Sequence, residues 1–498
     1  MEFDAHVHTL RAGMTVEFPA EAATLEYAQQ LDKNDKLSHL RDQFLLPSRL
    51  SLKKKALDGT IPGTPSTDVT SNPGPQPNGA KAAEDDTSSI YFVGNSLGAQ
   101  PKAVRRHLNA QLETWASIGV NGHFTTLQDS PLASWQDMAE DCARKFVPIV
   151  GAASPSEVVV MNTLTANLHL MMASFYRPTE KRHKIILEWK PFPSDWYAIQ
   201  SQIEWHSLSP QTSMVEIQPD ANLYLSTERI LAAIDEHADS TALLLLPGIQ
   251  YYTGQLLDMK RITAHARGRG IPAVGWDLAH AAGNVELCLH DWDVDFAVWC
   301  TYKYLNAGPG SIAGAFVHSK HSGTVEGTLS GYRHRLAGWY GADKSVRFNM
   351  AKEFQPTPGA PGFQLSNPSS IDLASLTAAL EVFGMTRMTD LRSKALLITA
   401  YAELLLDRVL LDRDGQIGEE EAVFKIITPR NPLERGSQLS LLLKPGLLDR
   451  VSQALVENGV VFDARKPDVI RVAPVPMYCT FVDVWNFVEI FKRAIDYD

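Results

Sequence analysis

Between residues 158 and 317 the chain alternates short apolar runs with stretches of helical spacing, and few folds accept that pattern. The runs 158–161, 184–189, 215–217, 242–246, 273–276, 294–300 and 313–318 have the length and the β-branched or aromatic content of buried strands. Residues 166–176, 226–236 and 258–266 read as helices, the last opened by Asp258 as a cap and closed near Gly268 and Gly270. Such alternation predicts an α/β fold with a mostly parallel central sheet covered by helices.

Two of these runs end on residues that carry chemistry. The run 273–276 leads into Asp277, with His280 three positions on, and the run 294–300 leads into Tyr302 and Lys303. About 17 residues separate the runs, enough for the dozen or more that a parallel crossover needs. Polar residues at the carboxyl ends of parallel strands line the ligand crevice of open α/β sheets, so Asp277 and Lys303 are expected to face one ligand. A lysine amine can form a Schiff base with the aldehyde of pyridoxal phosphate, and a carboxylate facing the pyridine nitrogen keeps that ring an electron sink. A buried ion pair, or two solvated loop charges, explains the same spacing equally well. The Gly-, Ala- and Pro-rich stretch 307–314 suits either close backbone approach to a ligand or a tight turn. Asn162, Thr163 and Thr165, at a strand-to-helix junction, suit a phosphate site, and they suit plain N-capping as well.

The rest of the chain sets boundaries. Residues 1–56 predict a helical segment, with one helix over 20–32. Residues 57–89 are dense in Pro, Gly, Ser, Thr and Asp with almost no large apolar residue, and predict a disordered insertion. Residues 90–368 form the large domain. Residues 369–498, with helices at 371–383, 392–406, 446–458 and 482–494 and strands at 423–427, 438–442 and 469–472, read as a smaller α+β domain. A formal charge of −11 argues against nucleic acid and anionic membrane as partners. No apolar run reaches transmembrane length, and the acidic start MEFDAHVH resembles neither a secretory signal nor a transit peptide. The four cysteines form no CxxC pair, and His265, His280, His290 and His318 form no metal-ligand motif, so no metal is expected. A reducing cytoplasm fits this usage.

The segment 277–316, DLAHAAGN…LHDWDVDFAVWCTYKYLNAGPGSIAGAF, closely resembles the kynureninase family, pyridoxal 5'-phosphate enzymes of tryptophan degradation that feed NAD biosynthesis. The resemblance runs from about Phe18 to the C-terminus apart from the insertion, through YFVGNSLG (91–98), MNTLTANLHL (161–170), PFPSDWYAIQSQ (191–202), YYTGQ (251–255), LAGWYG (336–341), GFQLSNP (362–368) and RVAPVPMY (471–478). It implies the aspartate-aminotransferase-like fold type I and hydrolysis of L-kynurenine or 3-hydroxykynurenine to alanine plus anthranilate or 3-hydroxyanthranilate. It assigns Lys303 to carry the cofactor, Asp277 to pair with the pyridinium and His280 to lie beside it. Leu164, Thr165, Phe192, Pro193, Ser194, Asp195 and Tyr302 match further cofactor contacts. Tyr252 matches a tyrosine near the phosphate that relays a proton. Trp339 and Asn367 match contacts from a second subunit, which implies a homodimer with shared active sites. Arg471 matches the clamp for the small-molecule substrate's α-carboxylate, and His123, Ser366 and Asn367 match contacts to its aromatic end. Pro247 stands where some members have serine. An aminotransferase or a cysteine desulfurase would share Lys303, Asp277 and His280, and for the desulfurase only Cys479 is placed to serve. A non-catalytic binding protein on this fold would be expected to lack Lys303, Asp277 or Arg471.

Overall fold

The computed structural model describes residues 2–57, 59–62, 87–324, 331–350, 352–414 and 422–496. Most of the expected insertion, residues 63–86, lies outside the described residues. Two compact units emerge, one of residues 101–392 with 434–436, the other of residues 1–100, 393–433 and 437–498.

Seven short strands build the sheet of the larger unit: β1 (Val158–Val160), β2 (Lys184–Glu188), β3 (Met214–Ile217), β4 (Thr241–Pro247), β5 (Val274–Asp277), β6 (Phe296–Trp299) and β7 (Gly314–Val317). Their spatial order is β1-β7-β6-β5-β4-β2-β3. All pairings are parallel except those of β7, which runs antiparallel to both β1 and β6. The unbroken apolar run of β4 is buried almost throughout, as a strand covered on both faces requires.

Helices α1 (Ala103–Ile118), α2 (Met138–Val150), α3 (Leu164–Phe175), α4 (Pro193–Trp205), α5 (Thr227–His237), α6 (Met259–Gly268) and α7 (Ser370–Phe383) belong to this unit. In α3, Leu168, Met171, Met172 and Phe175 recur at helical spacing and join Phe296 and Val298 of β6 in the core. Helix α4 was not expected from apolar periodicity. Pro193 at its first turn and Asp195 behind it are the start signals, and Ala198, Ile199 and Ile203 supply its narrow buried face.

In the smaller unit the strands β8 (Phe424–Ile426), β9 (Leu439–Leu443), β10 (Asp463–Arg465) and β11 (Val469–Val472) form an antiparallel sheet in the order β8-β9-β11-β10. The expected helix over 20–32 is broken at Thr24, whose hydroxyl accepts from the Tyr27 N–H at 3.3 Å and so starts a new helix, Leu25–Lys33. The end of that helix caps another. The Asp32 carboxylate accepts from the N–H groups of Phe481 at 2.7 Å and Val482 at 3.1 Å, at the start of the helix Phe481–Asp496. A buried ion pair of Lys394 with Asp35, at 2.7 Å, joins the N-terminal segment to the helix Met388–Asp414.

These contacts put residues 1–100 with the C-terminal portion. The divisions therefore fall at 100/101 and within the helix Met388–Asp414, at 392/393, rather than at 90 and 368. The second difference has a local cause: α7 packs on α1, where the buried His107 meets Glu381 at 2.8 Å.

Close packing of β5 on β6 depends on Gly275, which lies opposite Phe296. A Cβ there would sit 2.2 Å from the phenyl ring. Gly275→Ala is expected to destabilise the larger unit by about 1–3 kcal/mol, read as a lower thermal midpoint. An unchanged midpoint would contradict this packing.

Candidate active site

The carboxyl ends of β5 and β6 lie side by side, with Asp277 opposite Val298. Lys303 follows β6 through a tight turn, in which the Ala307 N–H donates to Thr301 O at 3.0 Å and the Thr301 hydroxyl to Ile312 O at 2.6 Å. Asn306 and Gly308 take the left-handed backbone that the turn needs. The stretch 307–314 therefore serves as a turn, and none of it lines the cavity that opens beside Lys303.

That cavity, of about 180 Å³, is lined by Leu164, Thr165, Glu188, Phe192, Ser194, Asp195, Pro247, Ile249, Tyr251, Asp277, Ala279, His280, Tyr302 and Lys303. Lys303 Nζ lies 2.9 Å from His280 Nε2 and 5.9 Å from the centre of the half-exposed Phe192 ring. Asp277 Oδ1 accepts from the Ala279 N–H at 2.6 Å, which fixes the carboxylate at its strand end. The Thr165 and Ser194 hydroxyls meet at 2.6 Å, at the first turns of α3 and α4. Neither helix has a side-chain N-cap, so two helix N-termini and two hydroxyls face one place.

Electrostatics sort the acids. Burial pushes the Asp195 carboxyl well above the usual range, and the charge and hydrogen bond of Asp277 push it further, while Lys303 pulls the other way. Burial and the neighbouring Asp277 thus both favour the neutral form of Asp195. Its Oδ1 is buried without a hydrogen-bond partner, so an acceptor or donor brought by a ligand would meet it. Burial, then the neighbouring Cys300 sulfur, also holds the Tyr302 hydroxyl in its neutral form.

The residues singled out by sequence divide into groups. Leu164, Thr165, Phe192, Ser194, Asp195, Asp277, His280, Tyr302 and Lys303 all line the cavity, and Pro193 opens the helix that carries two of them, Ser194 and Asp195. Tyr252 does not line it. The turn instead directs Tyr251 into the wall, edge-on to Phe192 at 5.4 Å, while Tyr252 is buried beneath Lys190 Nζ at 3.9 Å. Two adjacent tyrosines on a tight turn point different ways, which spacing alone does not resolve. Glu188 was missed because an acid inside an apolar strand end gives no pattern.

A third group lies on another surface of the same unit. Trp339 is half-exposed beside Tyr340 and Phe348, and His123 stands edge-on to Trp135 at 4.9 Å. Ser366 and Asn367 are exposed on the segment that packs on residues 338–341, where Tyr340 N–H donates to Leu365 O at 3.3 Å. The exposed Phe124 and Trp339 rings both meet the exposed Phe348 ring, at 5.5 Å and 6.0 Å, in one apolar patch. Arg471 belongs to the smaller unit. It is a buried guanidinium on β11, held by Asp463 at 2.9 Å.

The donor set of the cavity fits pyridoxal phosphate: a lysine amine, a carboxylate at a strand end, an open aromatic face, and an anion cradle at two helix N-termini. Pro247 lines the cavity without a hydroxyl to offer. Cys479, the cysteine weighed for desulfurase chemistry, is buried with its Sγ on Tyr91 O at 3.4 Å, and burial pushes its thiol up. Among the described residues no helix is long and apolar enough to cross a membrane.

Comparison with known proteins agrees with this chemistry. Residues 90–345 match the aminotransferase class-V family and residues 391–491 the kynureninase C-terminal domain. Kynureninase 1 of Neurospora crassa is 69% identical over 497 residues, covering 99% of each chain. Kynureninase of Pyricularia oryzae is 61% identical over 96% of this chain and 97% of that one. Among solved structures, a cystine C–S lyase in complex with cysteine persulfide superposes with a TM-score of 0.62 at 18% identity, covering 82% of this chain and 98% of that one. A cysteine desulfurase of Thermococcus onnurineus does so with a TM-score of 0.62 at 16% identity, covering 82% and 94%. At such identity these two structures speak for the fold, which is that of fold-type I pyridoxal phosphate enzymes, while the full-length relatives speak for the family. By both its domains and its full-length relatives, the chain belongs to the kynureninase family.

Proposed function

We propose that this chain hydrolyses the Cβ–Cγ bond of L-kynurenine and 3-hydroxy-L-kynurenine, releasing L-alanine with anthranilate or 3-hydroxyanthranilate. The observation that carries the reading is the meeting of Lys303, His280 and Asp277 with the Thr165–Ser194 cradle in one cavity. Pyridoxal phosphate, when bound, supplies an aldehyde that takes up the substrate amine and a ring that withdraws electrons from its α-carbon. Leu164, Thr165, Phe192, Pro193, Ser194, Asp195, Asp277, His280 and Tyr302 hold that group. Asp277 would present a carboxylate to the ring nitrogen, and Asp195, whose neutral form burial favours, lies beside it. The Lys303 amine binds the cofactor and moves the substrate α-proton, with His280 orienting Nζ. Tyr251, rather than Tyr252, offers a hydroxyl on the cavity wall for proton transfer to the substrate carbonyl.

The family assigns Arg471 to the substrate carboxylate, and its guanidinium is already fixed by Asp463. The family also implies a homodimer in which Trp339 and Asn367 reach the partner's cavity. Support for that comes from their position outside the cavity of their own unit and beside an exposed aromatic patch. We place His123, Ser366 and Asn367 at the aromatic end of the substrate, where polar groups that bond a ring hydroxyl would favour 3-hydroxykynurenine. A cytoplasmic setting is consistent with four free cysteines.

Lys303→Ala should abolish turnover and the visible absorbance of lysine-bound cofactor while the fold persists; a variant that keeps both would remove Lys303 from its role. Asp277→Asn should keep cofactor and lose rate by orders of magnitude, because a neutral pyridine is a poor electron sink. Arg471→Ala should raise KM strongly with cofactor content unchanged. Mixing inactive Lys303→Ala with an inactive Asn367→Ala should restore part of the activity through one complete site per heterodimer. No recovery despite confirmed subunit exchange would mean that each chain builds its own site.

A further inference from the structure

Strand β2 ends on Glu188, a carboxylate 1% exposed that lines the cavity and has no part in the roles above. Its Oε2 accepts from the Lys190 N–H at 2.9 Å, and its Oε1 from the Gln250 side-chain amide at 3.3 Å. The same Gln250 nitrogen donates to Lys190 O at 3.1 Å. The other end of that amide organises the loop after β4. Gln250 Oε1 accepts from the N–H groups of Tyr252 at 2.7 Å and Thr253 at 2.8 Å, and from the Thr253 hydroxyl at 3.3 Å. The Gln250 backbone closes the loop, bonding Gln255 O at 2.8 Å and the Gly254 N–H at 2.9 Å. One side chain thus fills the interior of the turn that puts Tyr251 on the cavity wall.

The polarity of this relay is fixed. An amide has donors only on nitrogen and acceptors only on oxygen. Gln250 Oε1 is committed to two backbone N–H groups, so Nε2 must face Glu188, and Glu188 must offer a bare acceptor. Its other oxygen also meets an N–H. A proton on either oxygen would remove the negative charge and one lone pair, and so weaken the bonds that Glu188 accepts. We propose that Glu188 is a positioning residue for the reaction: as a carboxylate it orients Gln250, and through Gln250 it holds the turn that sets Tyr251 against the substrate. The proposal rests on the reading of this cavity as the reaction site.

Burial raises the Glu188 carboxyl to about 7, against the hydrogen bonds of Lys190 and Gln250 and the Lys190 charge. The titratable groups that face it are Lys190, on the loop after β2, and Asp195 of α4, whose neutral form Glu188 helps to favour. Asp277, His280 and Lys303 line the same cavity from the β5 and β6 ends, and Gln250 from the β4 side is neutral. The folded value lies above the ordinary 4.5, so the fold penalises the ionised form. That penalty is absent below about 4.5 and complete above about 7. The relay is therefore intact above about 7 and loosens as pH falls through that value. A carboxylate kept beside a cavity at a cost to stability points to function.

The test compares wild-type holoenzyme with Glu188→Gln and Gln250→Ala. Glu188→Gln places a donor where the relay needs an acceptor, and Gln250→Ala removes the next link. With kynurenine as substrate, each is expected to lower kcat by about tenfold or more, with cofactor absorbance and KM near wild type and the fold retained at the assay temperature. The acid limb of the wild-type profile, centred near about 7, should be absent from both. Hydrogen exchange of the peptide spanning residues 249–256 gives a readout independent of turnover. After correction for intrinsic rates, protection should fall in wild type as pH drops through about 7 and stay low in both variants. Wild-type kcat with an unchanged acid limb would overturn the proposal, as would a kcat loss matched by an equal loss of cofactor. If Glu188→Gln fails to fold, Gln250→Ala decides by the same criteria. Failure of the wild type to turn over kynurenines would overturn the reading of the reaction, while the exchange pattern would still judge the relay.

Discussion

The in-register parallel pairing of β5 with β6 is the constraint on which the site depends. It sets Asp277 and the loop bearing Lys303 on neighbouring strand ends, and it is possible only because Gly275 leaves room for the Phe296 ring. Everything else in the cavity is hung on the same edge. The ends of β2 and β4 bring Glu188 and the Tyr251 turn, and the first turns of α3 and α4 bring the two hydroxyls. A cofactor that needs a ring partner, an amine and an anion cradle is met by three different kinds of chain end, each with its polar groups unspent by the sheet.

Three carboxyls, Glu188, Asp195 and Asp277, converge on this small volume with Lys303 and His280. Burial disfavours ionisation of both Glu188 and Asp195. Burial and Asp277 favour the neutral form of Asp195, while Glu188 is tied to donors on both oxygens. The result is a site whose charge is set by hydrogen-bond polarity rather than by solvent.

Much of this was legible in the sequence. The alternation of apolar runs and helical spacing gives the parallel sheet, because period and length carry that information locally. Asp277, His280, Tyr302 and Lys303 stand out because they follow buried runs directly. Other features were hidden for identifiable reasons. The antiparallel β7 has the same apolar run as its parallel neighbours, so direction leaves no trace in composition. Tyr251 and Tyr252 differ only in which way a six-residue turn points them, and the Gln250 amide that decides it is a neutral residue in a loop. The unit boundary inside the helix Met388–Asp414 follows from long-range packing of α7 on α1 and of residues 1–100 on the C-terminal segments. The aromatic surface around Trp339 leaves no period in the sequence, where Trp339 stands out only through the family resemblance.

The central claim is that this edge of the sheet performs hydrolysis at the β,γ-bond of a kynurenine rather than transfer of its amino group. Product analysis of the purified holoenzyme with L-kynurenine, in the presence and absence of pyruvate, tests it most directly. The account predicts alanine and anthranilate in equal amounts, at a rate independent of pyruvate. Turnover that requires the keto acid, or that yields no anthranilate, would contradict it.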